Sequence, residues 1–128
     1  NGKDMVCNKM IAVLGTYCVS NHSGTLCRVR DLDTPSPTIF KLCARRMVCV
    51  REVNGEDAML PYLYKKLVDP YTELQGCDLY EKPITFFPQY LMFFASNAPM
   101  NSVEKDMAVR QRTSVVKHVS IFTDSPME

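Results

Sequence analysis

Arg46-Met47-Val48-Cys49-Val50-Arg51-Glu52-Val53 is the stretch that decides the fold. Met47 to Val50 are apolar, two of them are β-branched, and the run closes in charge. So short an apolar run reads as a strand buried on both faces, the kind that parallel sheets contain. Parallel neighbours need crossover connections, usually helical, so the flanking sequence should alternate between the two periodicities.

Towards the amino end, Met5 to Leu14 is apolar at helical spacing, and Gly15 follows as a stop. Residues 16–37, with Gly24, Pro35, Pro37 and mixed charge, predict a loop holding one short strand at Leu26 to Val29. Pro37 opens a short helix through Ala44.

Towards the carboxyl end, Asn54-Gly55 marks a turn and Glu56 to Val68 has helical spacing, with Pro61 tolerable only in a first turn. Thr72 to Pro88 predicts a hairpin with arms near Glu73–Tyr80 and Pro83–Phe87. Tyr90 to Ser96 is a second apolar strand, and Asn97 to Ser102 is a loop broken by Pro99. Val103 to Gln111 suits a helix, and Thr113 to Ile121 a final strand. Strands alternating with helices imply an α/β layered fold with a mostly parallel sheet. The 128 residues suit one domain with a single real core.

The net charge of +1 excludes a polycation, so any nucleic-acid contact must come from a few placed cations. The six cysteines, Cys7, Cys18, Cys27, Cys43, Cys49 and Cys77, form no C-x-x-C pair. Neither His22 nor His118 stands at a zinc spacing from them. Their apolar neighbours suggest buried free thiols in a reducing compartment, with disulfides the alternative. The longest apolar stretch, Tyr90 to Ala95, is far too short to span a membrane. The chain opens on Asn1-Gly2-Lys3 with no signal peptide, as an excised piece of a longer protein would.

Four features carry possible chemistry. Asn1-Gly2-Lys3 ahead of an apolar helix could cradle phosphate through backbone N–H groups, the lysine and the helix dipole, though most such tripeptides are plain turns. Glu52 closes a buried strand, where a nucleotide hydrolase needs a carboxylate for Mg²⁺ or the attacking water, although many strands merely end in a solvated Glu. Asn97 is delivered by Leu91-Met92-Phe93-Phe94-Ala95-Ser96 and could bond a γ-phosphate oxygen or simply start the turn before Pro99. Asp106, Arg110 and Arg112 precede the last expected strand, and in ring ATPases such an arginine can act in a neighbouring subunit.

In order, these pieces resemble the ATPase core of superfamily 3 helicases, as found in phage and nucleocytoplasmic virus primase-helicases. That family carries a loop like G-x-N-G-K-[ST] and a helix ending in L-L-G-x-Y, matched here by Asn1-Gly2-Lys3 and by Val13-Leu14-Gly15-Thr16-Tyr17. A strand ending in Glu follows, then a segment like L-Y-x-x-P-x-x-F-x-P, matched by Leu79-Tyr80-Glu81-Lys82-Pro83-Ile84-Thr85-Phe86-Phe87-Pro88. Ser96-Asn97-Ala98-Pro99 matches the next strand end. Asp106, Arg110-Gln111-Arg112, Val115-Val116 and Phe122 match the close.

The resemblance implies a partial P-loop NTPase core of AAA+ type, driving ATP-dependent helicase movement on single-stranded DNA during replication. It implies a hexameric ring and a primase domain on the same full-length chain. By position, Asn1, Gly2, Lys3 and Asp4 would bind ATP, with Asp4 standing where the family has the Ser/Thr that ligates Mg²⁺. Asp4 and Glu52 would then be the metal contacts. Glu52 would be the catalytic acid, Asn97 the sensor, and Arg112, then Arg110, the arginine finger. Lys65, Lys66 and Lys82 would meet DNA phosphates, although Cys77-Asp78 stands where the family often has a basic residue. The opening of the loop lies outside the sequence, so the piece alone is expected to bind ATP weakly. The alternatives are a catalytically decayed copy and an α/β binding module unrelated to nucleotides. The nucleotide reading requires Lys3, Glu52 and Asn97 to meet at one end of the sheet.

Overall fold

The computed structural model describes residues 2–22, 34–53, 60–97 and 105–117. Helix α1 spans Lys3–Leu14, and a 3-10 turn, Gly15–Tyr17, leads into β1, Cys18–His22. Helix α2 (Pro37–Phe40), strand β2 (Met47–Val53) and helix α3 (Pro61–Val68) follow. Strands β3 (Leu74–Gly76), β4 (Ile84–Phe86) and β5 (Leu91–Ser96) precede helix α4 (Met107–Gln111).

The expected α/β architecture is present as a three-stranded sheet in the order β1-β2-β5, all parallel, with β3 and β4 forming a separate antiparallel hairpin. Strand β2 is central, which explains its unbroken apolar run: both edges and both faces are covered. Alternation along the strand splits its side chains between two layers. Val48 and Val50 face Ile39, Leu42, Leu63, Leu67 and Val109. Met47 and Cys49 face Cys7, Cys18 and Ala95 beneath α1, where Met10, Ile11 and Leu14 complete the packing. Cys7, Met10, Ile11 and Leu14 sit at the i, i+3, i+4, i+7 spacing that puts them on one helical stripe.

Local chemistry sets the element ends. The Ser36 hydroxyl accepts from the Ile39 N–H at 3.2 Å, and Pro37 fills the first turn of α2. That helix stops four residues short of the expected Ala44, because the chain reverses there: Ala44 itself has φ of 57°. Pro61 opens α3, as its missing N–H requires. The Asp106 carboxylate caps α4 by accepting from the Ala108 and Val109 N–H groups at 2.9 and 3.1 Å.

Three expectations change. The stretch 16–37 was expected to be loop, yet Cys18–His22 forms a full edge strand. Parallel pairing with Met47 to Arg51 supplies its backbone partners, a long-range effect that the polar Ser20-Asn21-His22 hides from local pattern. The helix expected over Glu56–Val68 begins only at Pro61, because the proline holds Leu60 before it extended, with φ of −62° and ψ of 131°. The short strand at Leu26–Val29, the Asn54-Gly55 turn and residues 56–59 lie outside the described residues. The final strand, Thr113–Ile121, is not a strand over 113–117, and 118–121 lie outside the description. There the Thr113 hydroxyl donates to the Val109 carbonyl at 2.8 Å and accepts from the Tyr64 hydroxyl at 2.8 Å. Side-chain bonds therefore fix the start of this strap, Thr113, against α3 and α4.

The hairpin stands on α2. Gly76 packs so closely that an added Cβ would lie 2.5 Å from the Phe40 Cα, and Ser36 bridges to Gly76. Among the described residues, no helix is long and apolar enough to cross a membrane.

Candidate functional site

The three parallel strands all run to one end of the sheet, where open α/β sheets place their ligands. There β5 runs out into Asn97, and β2 carries Arg51-Glu52 beside it. The pairing of β2 with β5 slips at this point: Val50 opposes Phe94, but Val53 opposes Ser96. Three steps along β2 match two along β5, so the Arg51-Glu52 segment holds one extra residue. Such bulges re-aim the strand locally and are frequent beside active sites.

Helix α1 begins at this same end. The Lys3 ammonium donates to the Asn97 side-chain oxygen, joining residues 94 positions apart. Gly2, before the first turn, offers no side-chain cap. Among the described residues, no side-chain cap covers the first N–H groups of this 12-residue helix. Asp4 sits exposed in that first turn. Further along, the Arg51 guanidinium donates to the Asn8 side-chain oxygen at 2.7 Å, tying α1 to the strand that carries Glu52.

Lys3 and Asn97 are thus brought together by their side chains. Glu52 is brought to the same sheet end by the register of β2 against β5. Asn1 lies outside the described residues. Arg110 and Arg112 lie apart on and after α4, which packs on α3. The Arg112 guanidinium donates to the Ala108 carbonyl at 3.0 Å. The Tyr71 N–H and then the Thr72 hydroxyl hold the Asp69 carboxyl below the usual range, with a smaller contribution from Arg112. Lys65 is engaged by the Asp106 carboxylate at 2.9 Å, Lys66 is half-buried on α3, and Lys82 is exposed on the hairpin.

Two polar residues at this end were not anticipated. Among the described residues, Asn21 on β1 is buried with no partner for its Nδ2, and the Arg51 Nε is buried with none either. The run Val19-Ser20-Asn21 resembles a loop, so no local signal exposed Asn21. The bulge was equally invisible, because it exists only in the pairing of two distant strands.

Beneath the site, under α1, three thiols converge. Cys18 and Cys49 have their sulfurs 3.8 Å apart. Burial pushes the Cys49 thiol up to about 12, and its neighbours Cys18 and Cys7 push in the same direction. These are inert core thiols rather than nucleophiles. Among the described residues, no three His, Cys, Asp or Glu side chains gather as a metal site.

No protein-family model matches the chain, and no curated protein sequence matches it significantly.

Proposed function

We propose that this chain is a nucleotide-binding ATPase core of viral or phage primase-helicase type, acting on single-stranded DNA as a homo-oligomeric ring. The observation that carries the reading is the Lys3–Asn97 contact at the carboxyl end of a parallel sheet, beside the strand that bears Glu52. An ammonium, uncapped helix N–H groups and an amide are the donors that a terminal phosphate accepts from. A carboxylate on the adjacent strand is the group that would orient a lytic water.

Mg²⁺ suits this arrangement, because it binds through one or two carboxylates with phosphates and waters completing its shell. Asp4 and Glu52 are the residues that would meet it, and the ion would neutralise charge on the transferring phosphate. Arg110 and Arg112 would act only across a subunit boundary, with Arg112 first released from its own helix. Of the lysines, Lys65 already has a carboxylate and Lys82 stands among the acids Asp78 and Glu81, so both contribute little to a DNA phosphate contact.

Asp4 supports a second reading, in which the fold persists without hydrolysis. Its carboxylate adds negative charge where the β-phosphate would lie.

Millimolar Mg·ATP is titrated into the chain while backbone amide shifts are followed by NMR, which detects weak binding. Shifts confined to Gly2 through Val6 and to Asn97, abolished by Lys3→Ala, are expected. Hydrolysis stimulated by single-stranded DNA and lost in Glu52→Gln would establish the enzyme. Hydrolysis seen only in Asp4→Ser would establish the second reading. Shifts scattered over the surface, or unchanged by Lys3→Ala, would defeat both.

A further inference from the structure

Two apolar surfaces of opposite charge remain unexplained by the nucleotide site. The first is the hairpin tip. Every residue from 78 to 85 is exposed, and Leu79 and Tyr80 are 72% and 104% exposed. Ile84 and Phe87 extend the apolar surface. Soluble surfaces tolerate scattered apolar residues, but grouped ones mark contacts.

This tip is built to hold its shape. The Cys77 thiol donates to the Glu81 carbonyl at 2.9 Å, and the Leu79 N–H donates to the Asp78 carboxylate at 2.8 Å. The Glu81 N–H closes the turn on the Asp78 carbonyl at 3.2 Å. Tyr80 takes a φ of 65°, a conformation that costs an L residue energy and is retained where the surroundings enforce it. The base is anchored by the close Gly76–Phe40 packing. A rigid, protruding aromatic loses little entropy on binding. Over residues 73–87 the charges are Glu73, Asp78 and Glu81 against Lys82, so the surface is net acidic.

The second surface is the strap that follows α4. Met107, Val115 and Val116 are exposed, the last by 75%. Around them lie Lys105, Arg110, Arg112 and Lys117, all exposed. The nearby acid, Asp106, is already paired with Lys65. Among the described residues this surface is net basic, and its start is held by the Tyr64–Thr113 bond.

We infer that the hairpin tip of one copy of this chain docks on the strap of a second copy. The acidic-apolar tip and the basic-apolar strap complement each other in charge and in kind. The tip's acidity disfavours a nucleic-acid occupant, whose phosphates Asp78 and Glu81 would repel. The contact joins unlike surfaces, so it is heterologous and can propagate from copy to copy. The ring proposed above needs some subunit contact; this one stands on grounds that hold without any nucleotide.

Sedimentation velocity of the chain, without nucleotide, over a range of protein and salt concentrations tests the contact. Association that rises with protein and falls with salt is expected. Tyr80→Ser, Glu81→Lys and Lys117→Glu should each weaken it tenfold or more while circular dichroism stays unchanged. Mixing Glu81→Lys chains with Lys117→Glu chains should restore association that neither shows alone, because each mixture pairs opposite charges again. A chain that stays monomeric at millimolar concentration overturns the inference. So does association indifferent to Tyr80→Ser, or a mixture that fails to re-associate. Because ATP is absent throughout, the nucleotide reading and this one can fail separately.

Discussion

Lys3 and Asn97 touch although they stand 94 positions apart in the chain, the lysine ammonium donating to the asparagine side-chain oxygen. One residue opens α1 and the other follows β5, so the contact brings the start of the helix to the end of the sheet. It lies on the surface, and an exposed hydrogen bond of this kind contributes only about 0.5–1.5 kcal/mol. Lys3→Met and Asn97→Ala should therefore lower the urea midpoint only slightly. The same changes should cut phosphate or ATP binding by more than tenfold. Large stability losses from either would mean that the pair is a structural brace instead.

Gly76 packs the hairpin tightly on α2. A Cβ there would meet the Phe40 Cα at 2.5 Å and its N at 2.6 Å, and backbone cannot swing aside as a side chain can. Gly76→Ala should cost about 1–3 kcal/mol, the usual range for overpacking. Chemical denaturation gives the stability, and amide exchange at Leu74 and Phe86 should quicken with it. An unchanged midpoint would show that the hairpin is not seated on α2.

Asp106 links α3 to α4, and its carboxyl is held below the ordinary 3.8. The Lys65 ammonium does most of this, helped by the N–H of Val109 and then that of Ala108. A lowered folded pKa means stability that is full above the ordinary value and lost as pH falls through the folded one. Denaturation midpoints should thus drop from just above pH 3.8 downward. Asp69 contributes in the same direction, through its bonds from the Tyr71 N–H and the Thr72 hydroxyl. Asp106→Asn should flatten the acid slope, and Asp106→Asn with Asp69→Asn should flatten it further. An acid slope left intact by the double variant would assign it to other carboxylates.

The cysteines should divide sharply in reactivity. Cys43 and Cys77 are half-buried, whereas Cys7, Cys18 and Cys49 are buried, and the Cys49 thiol is raised to about 12. The thiolate is the reacting form, so burial and a raised pKa both protect. A thiol reagent at pH 8, with sites mapped by mass spectrometry, should modify Cys43 and Cys77 in the native chain. Cys49 should react only in denaturant. Native labelling of Cys49 would mean that α1 lifts off the sheet readily.

Much of the fold was legible locally. The apolar runs 46–53 and 90–96 became β2 and β5, and Met5 to Leu14 lies inside α1. Pro61 fell in the first turn of α3, and Pro37 opened α2. The hairpin arms proved shorter than expected, because the ladder stops at Gly76–Ile84 and the tip between them turns on the Glu81 N–H to Asp78 carbonyl bond. In each case the signal was short-range: side-chain periodicity, a missing N–H, or a cap within one turn. Strand β1 was not legible, since its polar half is held by pairing with β2 rather than by its own propensity. The strap was misread as a strand, because Val115 and Val116 favour strands while Thr113 and Tyr64 bind the chain elsewhere.

The sequence alone showed which residue types stand before the first helix and near the ends of two strands, and the resemblance joined Lys3, Glu52 and Asn97 as a set. It could not determine that two of them touch, nor that β2 gains a residue against β5 beside the third. Those facts depend on strand order and register, which are set by packing between segments far apart in the chain. Local pattern carries side-chain preference, but proximity across 94 positions arises only when the core closes.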